Sequence, residues 1–294
     1  MKKPWIAVAV FSLMPFGSAG GQVPTGESLA EWGRSMDLDP RIARELQRFH
    51  EGGNALNPAQ ADTFIKSIRS RVFSSAERHL ALLQSGDCTP FVEVSIGELD
   101  SLSVPRGVKG EEEAWEDFEN SVIRTEMVAC LETDVMDPAE VLRLYVSPEF
   151  RMAAEGRIKE MWEDQEGQCM ETKGVLSLVD PTRVCNRTRE YRGDQVAAQH
   201  SQLVFNEGRN PFQTVFFKES LKTFVRVPGG MALHYIHFVR AGTLGRLERW
   251  AGPGQIRGSQ EGNVKELQKR LRARSSAPAA QFPASIPVGR LGVH

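Results

Sequence analysis

Residues 171–272 predict an α+β fold in which a curved antiparallel sheet grips one long helix. Three observations point there. Six segments of strand character, at 174–179, 183–191, 195–206, 213–219, 223–227 and 231–241, are separated by turn formers such as Asp180-Pro181, Gly193-Asp194 and Pro228-Gly229-Gly230. Their spacing suits a continuous antiparallel meander. An amphipathic helix over 255–272 follows, with Val264, Leu267 and Leu271 on one side and Lys265, Lys269, Arg270 and Arg272 off it.

Upstream, the spacing predicts a helical hairpin over 28–49 and 57–84, split by Gly52-Gly53. In its second arm Ala61, Phe64, Ile65, Ile68, Val72, Phe73 and Ala76 recur at helical intervals, with Lys66, Arg69 and Arg71 outside the stripe. Asn57-Pro58 supplies an N-cap and a first-turn proline. A strand is expected at 91–96, a Pro/Gly loop at 103–110 and a solvated acidic stretch at 111–119. A strand at 122–132, a helix entered through Asp137-Pro138 and a second helix over 150–162 then lead into the meander. Gly254, Gly258 and Gly262 recur every four residues and are read as a place where the last helix approaches the sheet. Residues 275–294, rich in Ala, Pro and Ser, are expected to form a disordered tail.

The chain begins Met1-Lys2-Lys3, continues through an apolar run to Phe16, and then places Gly17 and Ala19 as before a signal-peptidase cut. Residues 1–19 therefore read as a secretory signal, with 20–110 a helical region and 111–274 the sheet-and-helix domain. The apolar run is interrupted by Pro15, and no later stretch is long and apolar enough to span a bilayer. The expected location is periplasmic or extracellular. The formal charge of −2 becomes about −4 without Lys2 and Lys3, which gives no general attraction for nucleic acid.

The four cysteines, Cys88, Cys130, Cys169 and Cys185, suggest two disulfides in an exported chain. Three connectivities are open. Cys88–Cys130 with Cys169–Cys185 closes the shortest loops, but a tight hairpin at Asp180-Pro181 would carry Cys169 past the residue facing Cys185.

A strand, two short helices, a meander and a long closing helix resemble the START-like superfamily of polyketide cyclase/dehydrase and lipid-transport proteins. The resemblance covers about 122–272 and is carried by the opening strand with Asp137-Pro138-Ala139-Glu140-Val141, and by the Glu261-Gly262-Asn263-Val264-Lys265-Glu266-Leu267 ending. It implies a helix-grip domain that binds a lipid or other hydrophobic small molecule between sheet and helix. Phe216, Phe224, Tyr235 and His237 are the expected lining residues, although alternation does not say which face of the sheet points inward. No cofactor and no metal site is expected: His234 and His237, three apart on a strand, face opposite ways and cannot chelate together. No nucleophile elbow, phosphate loop or dinucleotide motif occurs. A cyclase- or hydrolase-type enzyme using Tyr235 or His237, and an envelope protein acting by protein–protein contact through an exposed face of the helical hairpin, are the alternatives.

Overall fold

Eight strands make one open antiparallel sheet in the computed structural model, which describes residues 28–37, 40–42, 58–96, 122–155, 158–164, 167–172, 182–206, 215–241 and 246–276. The strands are β1 (Phe91–Ile96), β2 (Val122–Glu132), β3 (Ile158–Asp164), β4 (Gly167–Thr172), β5 (Thr182–Arg192), β6 (Val196–Asn206), β7 (Val215–Val227) and β8 (Gly230–Ala241). Their spatial order is β1-β2-β8-β7-β6-β5-β4-β3, so everything after β3 is a meander and the last strand returns to pair with β2. The helices are α1 (Leu29–Ser35), α2 (Pro58–Gln84), α3 (Pro138–Val146), α4 (Pro148–Glu155) and α5 (Arg246–Ser276).

Each helix is set by local chemistry before it is packed. Ser28 and Glu31 form a capping box at the start of α1, each side chain bonded to the other's backbone N–H. Pro58 opens α2, and Gly86, at φ 89°, ends it in the left-handed region while its N–H donates to the carbonyl of Leu83. Asp137 caps α3 by accepting from the Ala139 N–H at 2.9 Å, with Pro138 in the first turn.

The sheet is covered on both faces. On one, Met127, Ala129, Leu131, Ala197, Phe224, Met231, Leu233 and Tyr235 pack under α3, α4 and the C-terminal half of α5, whose Leu267 and Leu271 are fully buried. On the other, Phe217, Leu221, Ile236, Phe238, Ala198 and Val204 receive Trp32 of α1 and the whole apolar stripe of α2. Phe64 meets Phe217 edge-on at 5.1 Å, and Trp32 meets Phe73 edge-on at 5.9 Å. The stripe read along 61–76 is therefore buried against β7 and β8 and offers no open apolar face among the described residues.

Four expectations change. The helix expected over 150–162 ends at Glu155, and Ile158–Asp164 is instead the edge strand β3. Gly156 disfavours continuing the helix, and pairing with β4, a contact that periodicity does not report, makes the strand. Segment 167–172 is a strand that its sequence, Gly-Gln-Cys-Met-Glu-Thr, hardly advertises. The segments at 213–219 and 223–227 are one strand, because no turn former interrupts them and the ladder to β8 runs unbroken from Lys218↔Val239 to Val227↔Gly230. Gly254, Gly258 and Gly262 do not approach the sheet: a Cβ on any of them would meet nothing within 4 Å. The signal segment 1–19, the acidic stretch 111–119, the strand expected at 174–179 and the tail beyond 276 lie outside the described residues.

Both shortest-loop disulfides are formed, Cys88–Cys130 and Cys169–Cys185. Cys169 falls opposite Cys185 because β4 and β5 stay paired as far as Thr172↔Thr182, so all of 173–181 connects them. The fold-back required by a tight hairpin at 180–181 does not arise. Cys88–Cys130 ties the end of α2 to β2 across 42 residues, whereas Cys169–Cys185 spans 16. Loop-closure entropy then predicts that removing the first pair as Cys88→Ala/Cys130→Ala costs about 4 kcal/mol and the second pair about 3 kcal/mol. Urea midpoints of the two double variants check both the size and the order.

Candidate functional site

The face beneath α5 is graded from apolar to polar in rows that the register defines. Ala129, Leu233, Phe224 and Ala197 form an apolar row across β2, β8, β7 and β6. Tyr145 of α3 closes over it, edge-on to Phe224 at 5.6 Å and 5.1 Å from Phe150. Next come Met127, Tyr235, Lys222 and Gln199, and after them Thr125, His237, Ser220, Ser201 and Thr188. A hydroxyl-and-imidazole band thus lies directly beside an aromatic-aliphatic patch, on one face of five neighbouring strands.

Thr125, Ser220 and Ser201 are buried. Ser220 Oγ and His237 Nε2, register partners on β7 and β8, are shut off from water without a hydrogen-bond partner, as is Asn186 Oδ1 on β5. Burial, and then the charges of Lys218, Lys222 and Arg151, hold the His237 imidazole well below its usual pKa and so neutral. The described charges around it are cations. Such a surface can seat the polar end of a small molecule whose apolar part lies against Phe224, Leu233 and Tyr145.

The structure brings Phe224, Tyr235 and His237 onto this one face, with the Tyr235 and His237 rings 5.7 Å apart. Phe216 lies on β7, but its side chain falls outside the described residues. His234 points to the other face, toward α2, away from His237.

That opposite face holds two buried carboxylates which the sequence reading missed. Glu219 on β7 is fully buried, accepts from Gln202 at 3.2 Å, and lies 3.0 Å from His200 Nε2 and 3.5 Å from Arg69 Nε. Arg69 is not on the exposed side of α2, as its place outside the stripe implied. It is buried and also donates to the Met36 carbonyl at 2.7 Å. The burial of His200 pushes its pKa down despite Glu219.

Glu126 on β2 is the second. Its Oε1 accepts from Ser75 and lies 3.0 Å from His234 Nε2 and 3.3 Å from His79 Nδ1, and its Oε2 is paired with Arg124. Burial would raise the Glu126 pKa, but hydrogen bonds from His234 and Ser75 and the charge of Arg124 outweigh it and bring it to about 2. The His79 and His234 rings stack 4.5 Å apart. The only signal in the sequence is a carboxylate in mid-strand, as in Thr-Glu-Met-Val and Phe-Lys-Glu-Ser. Apart from Arg124, two residues from Glu126, the partners lie 17 to 150 residues away and carry no mutual spacing.

Two outcomes follow. Arg69→Ala, which strands Glu219 as a buried charge, is expected to cost about 3–5 kcal/mol in chemical denaturation. His200 and His237 are neutral when folded and protonate when unfolded. Their contribution is therefore complete above the unfolded pKa of about 6.5 and is lost as pH falls below it. Unfolding free energy should decline from pH 7 to pH 5, at no more than about 1.4 kcal/mol per pH unit for each histidine, and His200→Gln should flatten the slope.

No protein-family model and no curated protein matches the chain. Among solved structures it is similar to a START superfamily protein from Mycobacterium smegmatis, at 9% identity over 51% of this chain and 98% of that one, with a TM-score of 0.37. It is also similar to the human StAR-related lipid transfer protein 5, at 15% identity over 73% and 99% of the two chains, with a TM-score of 0.39. A di-domain ARO/CYC protein of the steffimycin biosynthetic pathway is 14% identical over 56% of this chain and 55% of that one, with a TM-score of 0.37. Superpositions this loose carry no functional inference. On the order of its own elements, an antiparallel meander closed by β2 and crossed by a long C-terminal helix, the chain has a helix-grip fold.

Proposed function

We propose that this is an exported protein that holds a hydrophobic small molecule or lipid between the sheet and α5, with its polar end at Ser220 and His237. The observation that carries the reading is the pair of buried, unpartnered polar atoms, Ser220 Oγ and His237 Nε2, beside an apolar aromatic row. A buried polar atom without a partner costs about 1–3 kcal/mol, so a ligand atom that bonded to it would recover that energy on binding. The aromatic and aliphatic row supplies the apolar wall that small-molecule sites use.

Export is supported by the basic and apolar start of the chain, by the small residues at Gly17 and Ala19, and by two disulfides, which persist in oxidising compartments. No described helix is long and apolar enough to cross a membrane. The protein–protein alternative drew on an exposed apolar face of the helical hairpin, and the described part of that face is buried on the sheet. The enzyme alternative has Tyr235 and His237 side by side, with the imidazole held neutral by burial.

Native mass spectrometry of protein recovered from the exported fraction, with organic extraction, tests the reading. We expect a co-purifying apolar molecule and a mature N-terminus at Gly20. A Ser220→Val/His237→Leu variant should bind that molecule at least tenfold more weakly, about 1.4 kcal/mol, while keeping its circular dichroism. Apo protein whose thermal midpoint is unmoved by a panel of fatty acids, sterols and phospholipids would sink the proposal.

A further inference from the structure

We propose that His79, Glu126 and His234 bind one divalent transition metal of the zinc class, on the α2 face of the sheet and apart from the ligand site under α5. Three elements converge there: α2 brings His79, β2 brings Glu126 and β8 brings His234. One ligand atom from each lies within 4.8 Å of the other two: His234 Nε2 is 3.0 Å from Glu126 Oε1, and His79 Nδ1 is 3.3 Å from the same oxygen and 3.0 Å from the Ser75 carbonyl, which it must leave to bind an ion. In a tetrahedral site with bonds of about 2.0–2.1 Å, ligand atoms stand about 3.3 Å apart, so the three need only small movements to enclose an ion. Two imidazoles and one carboxylate, with a fourth position left over, is a donor set that suits zinc.

The surroundings supply the rest of a metal site. Arg124 holds Oε2 of Glu126 and leaves Oε1 for the ion, which is how outer residues orient a ligating carboxylate. His234 uses Nε2 toward Glu126, and its Nδ1 is buried without a partner. Thr223, directly across from His234 in the β7–β8 register, carries a buried hydroxyl that is also unpartnered. With a metal on Nε2 the ring proton resides on Nδ1 and needs an acceptor, which the unpartnered Thr223 Oγ1 could become only by a small movement. Ser75, which donates to Oε1, and Arg78 and Arg124, which both face Glu126, also line a neighbouring cleft of about 410 Å³.

The cations Arg71, Arg78 and Arg124 around the cleft oppose the ion. Arg78 lies 4.0 Å from Glu126 Oε1, yet its side chain is 65% exposed and is free to turn into solvent. The proposal therefore makes opposite demands on two residues of one helix. His79→Ala removes a ligand, together with the ring stacked on His234, and Arg78→Ala removes an exposed repelling charge.

The experiment uses untagged, chelator-treated full-length protein, titrated with Zn²⁺ by calorimetry and with Co²⁺ by visible absorption. We expect one ion per chain and the intense visible bands of four-coordinate Co²⁺ bound by N/O donors. Binding should weaken at least tenfold in His79→Ala and tighten several-fold in Arg78→Ala. Absence of stoichiometric binding in both the native protein and Arg78→Ala overturns the proposal. So does equal affinity in the native protein and His79→Ala, which would place the ion elsewhere on the chain.

Discussion

The central strands β2, β7 and β8 have no face open to water, and most of what is distinctive about the protein follows from that constraint. α5 with α3 and α4 covers one side, and α1 with α2 covers the other. A strand buried on both sides is normally a continuous run of aliphatic residues. These strands instead carry Thr125, Glu126, Glu219, Ser220, Thr223 and His234, each removed from bulk solvent, and a half-buried His237 whose Nε2 is shut off from water. Every one must find a partner inside the protein or bear the cost of lacking one.

The two faces meet that demand differently. Toward α2 the polar groups are almost all internally matched: Glu219 by Arg69, His200 and Gln202, and Glu126 by Ser75, His234 and Arg124. Those contacts dock the N-terminal helices on the sheet with a fixed register, and removing one partner costs far more than an exposed ion pair would. Toward α5 the matching is incomplete, at Ser220, His237 and Asn186. A face that is matched without help is suited to architecture, whereas a face left unmatched is suited to a ligand. On the matched face Arg69 Nε and Nη2, Thr223 Oγ1 and His234 Nδ1 lack a hydrogen-bond partner, and His234 belongs to the one place among the described residues where three metal-binding groups meet.

The same covering explains the disulfides. Cys88–Cys130 joins the layer of α2 to the sheet, and Cys169–Cys185 ties β4 to β5 inside the buried cluster that receives α1 and α2.

Much of the fold was legible in the chain because it is written in local spacing. The 61–76 stripe has helical period, the segments at 183–191, 195–206 and 231–241 alternate and end in turn formers, and Asp137-Pro138 starts a helix on its own chemistry. Parity along a strand likewise placed His234 and His237 on opposite faces. What only the tertiary structure decided are the properties made by partners distant in sequence. Pairing turned 158–164 and 167–172 into strands, docking made Arg69 a core residue, and the stacking of helices on both faces brought His79, Glu126 and His234 together from positions up to 155 residues apart. Period and parity are carried by neighbours along the chain, so a sequence states them. The environment of a side chain depends on which surfaces meet, and that is settled only when the whole sheet is covered.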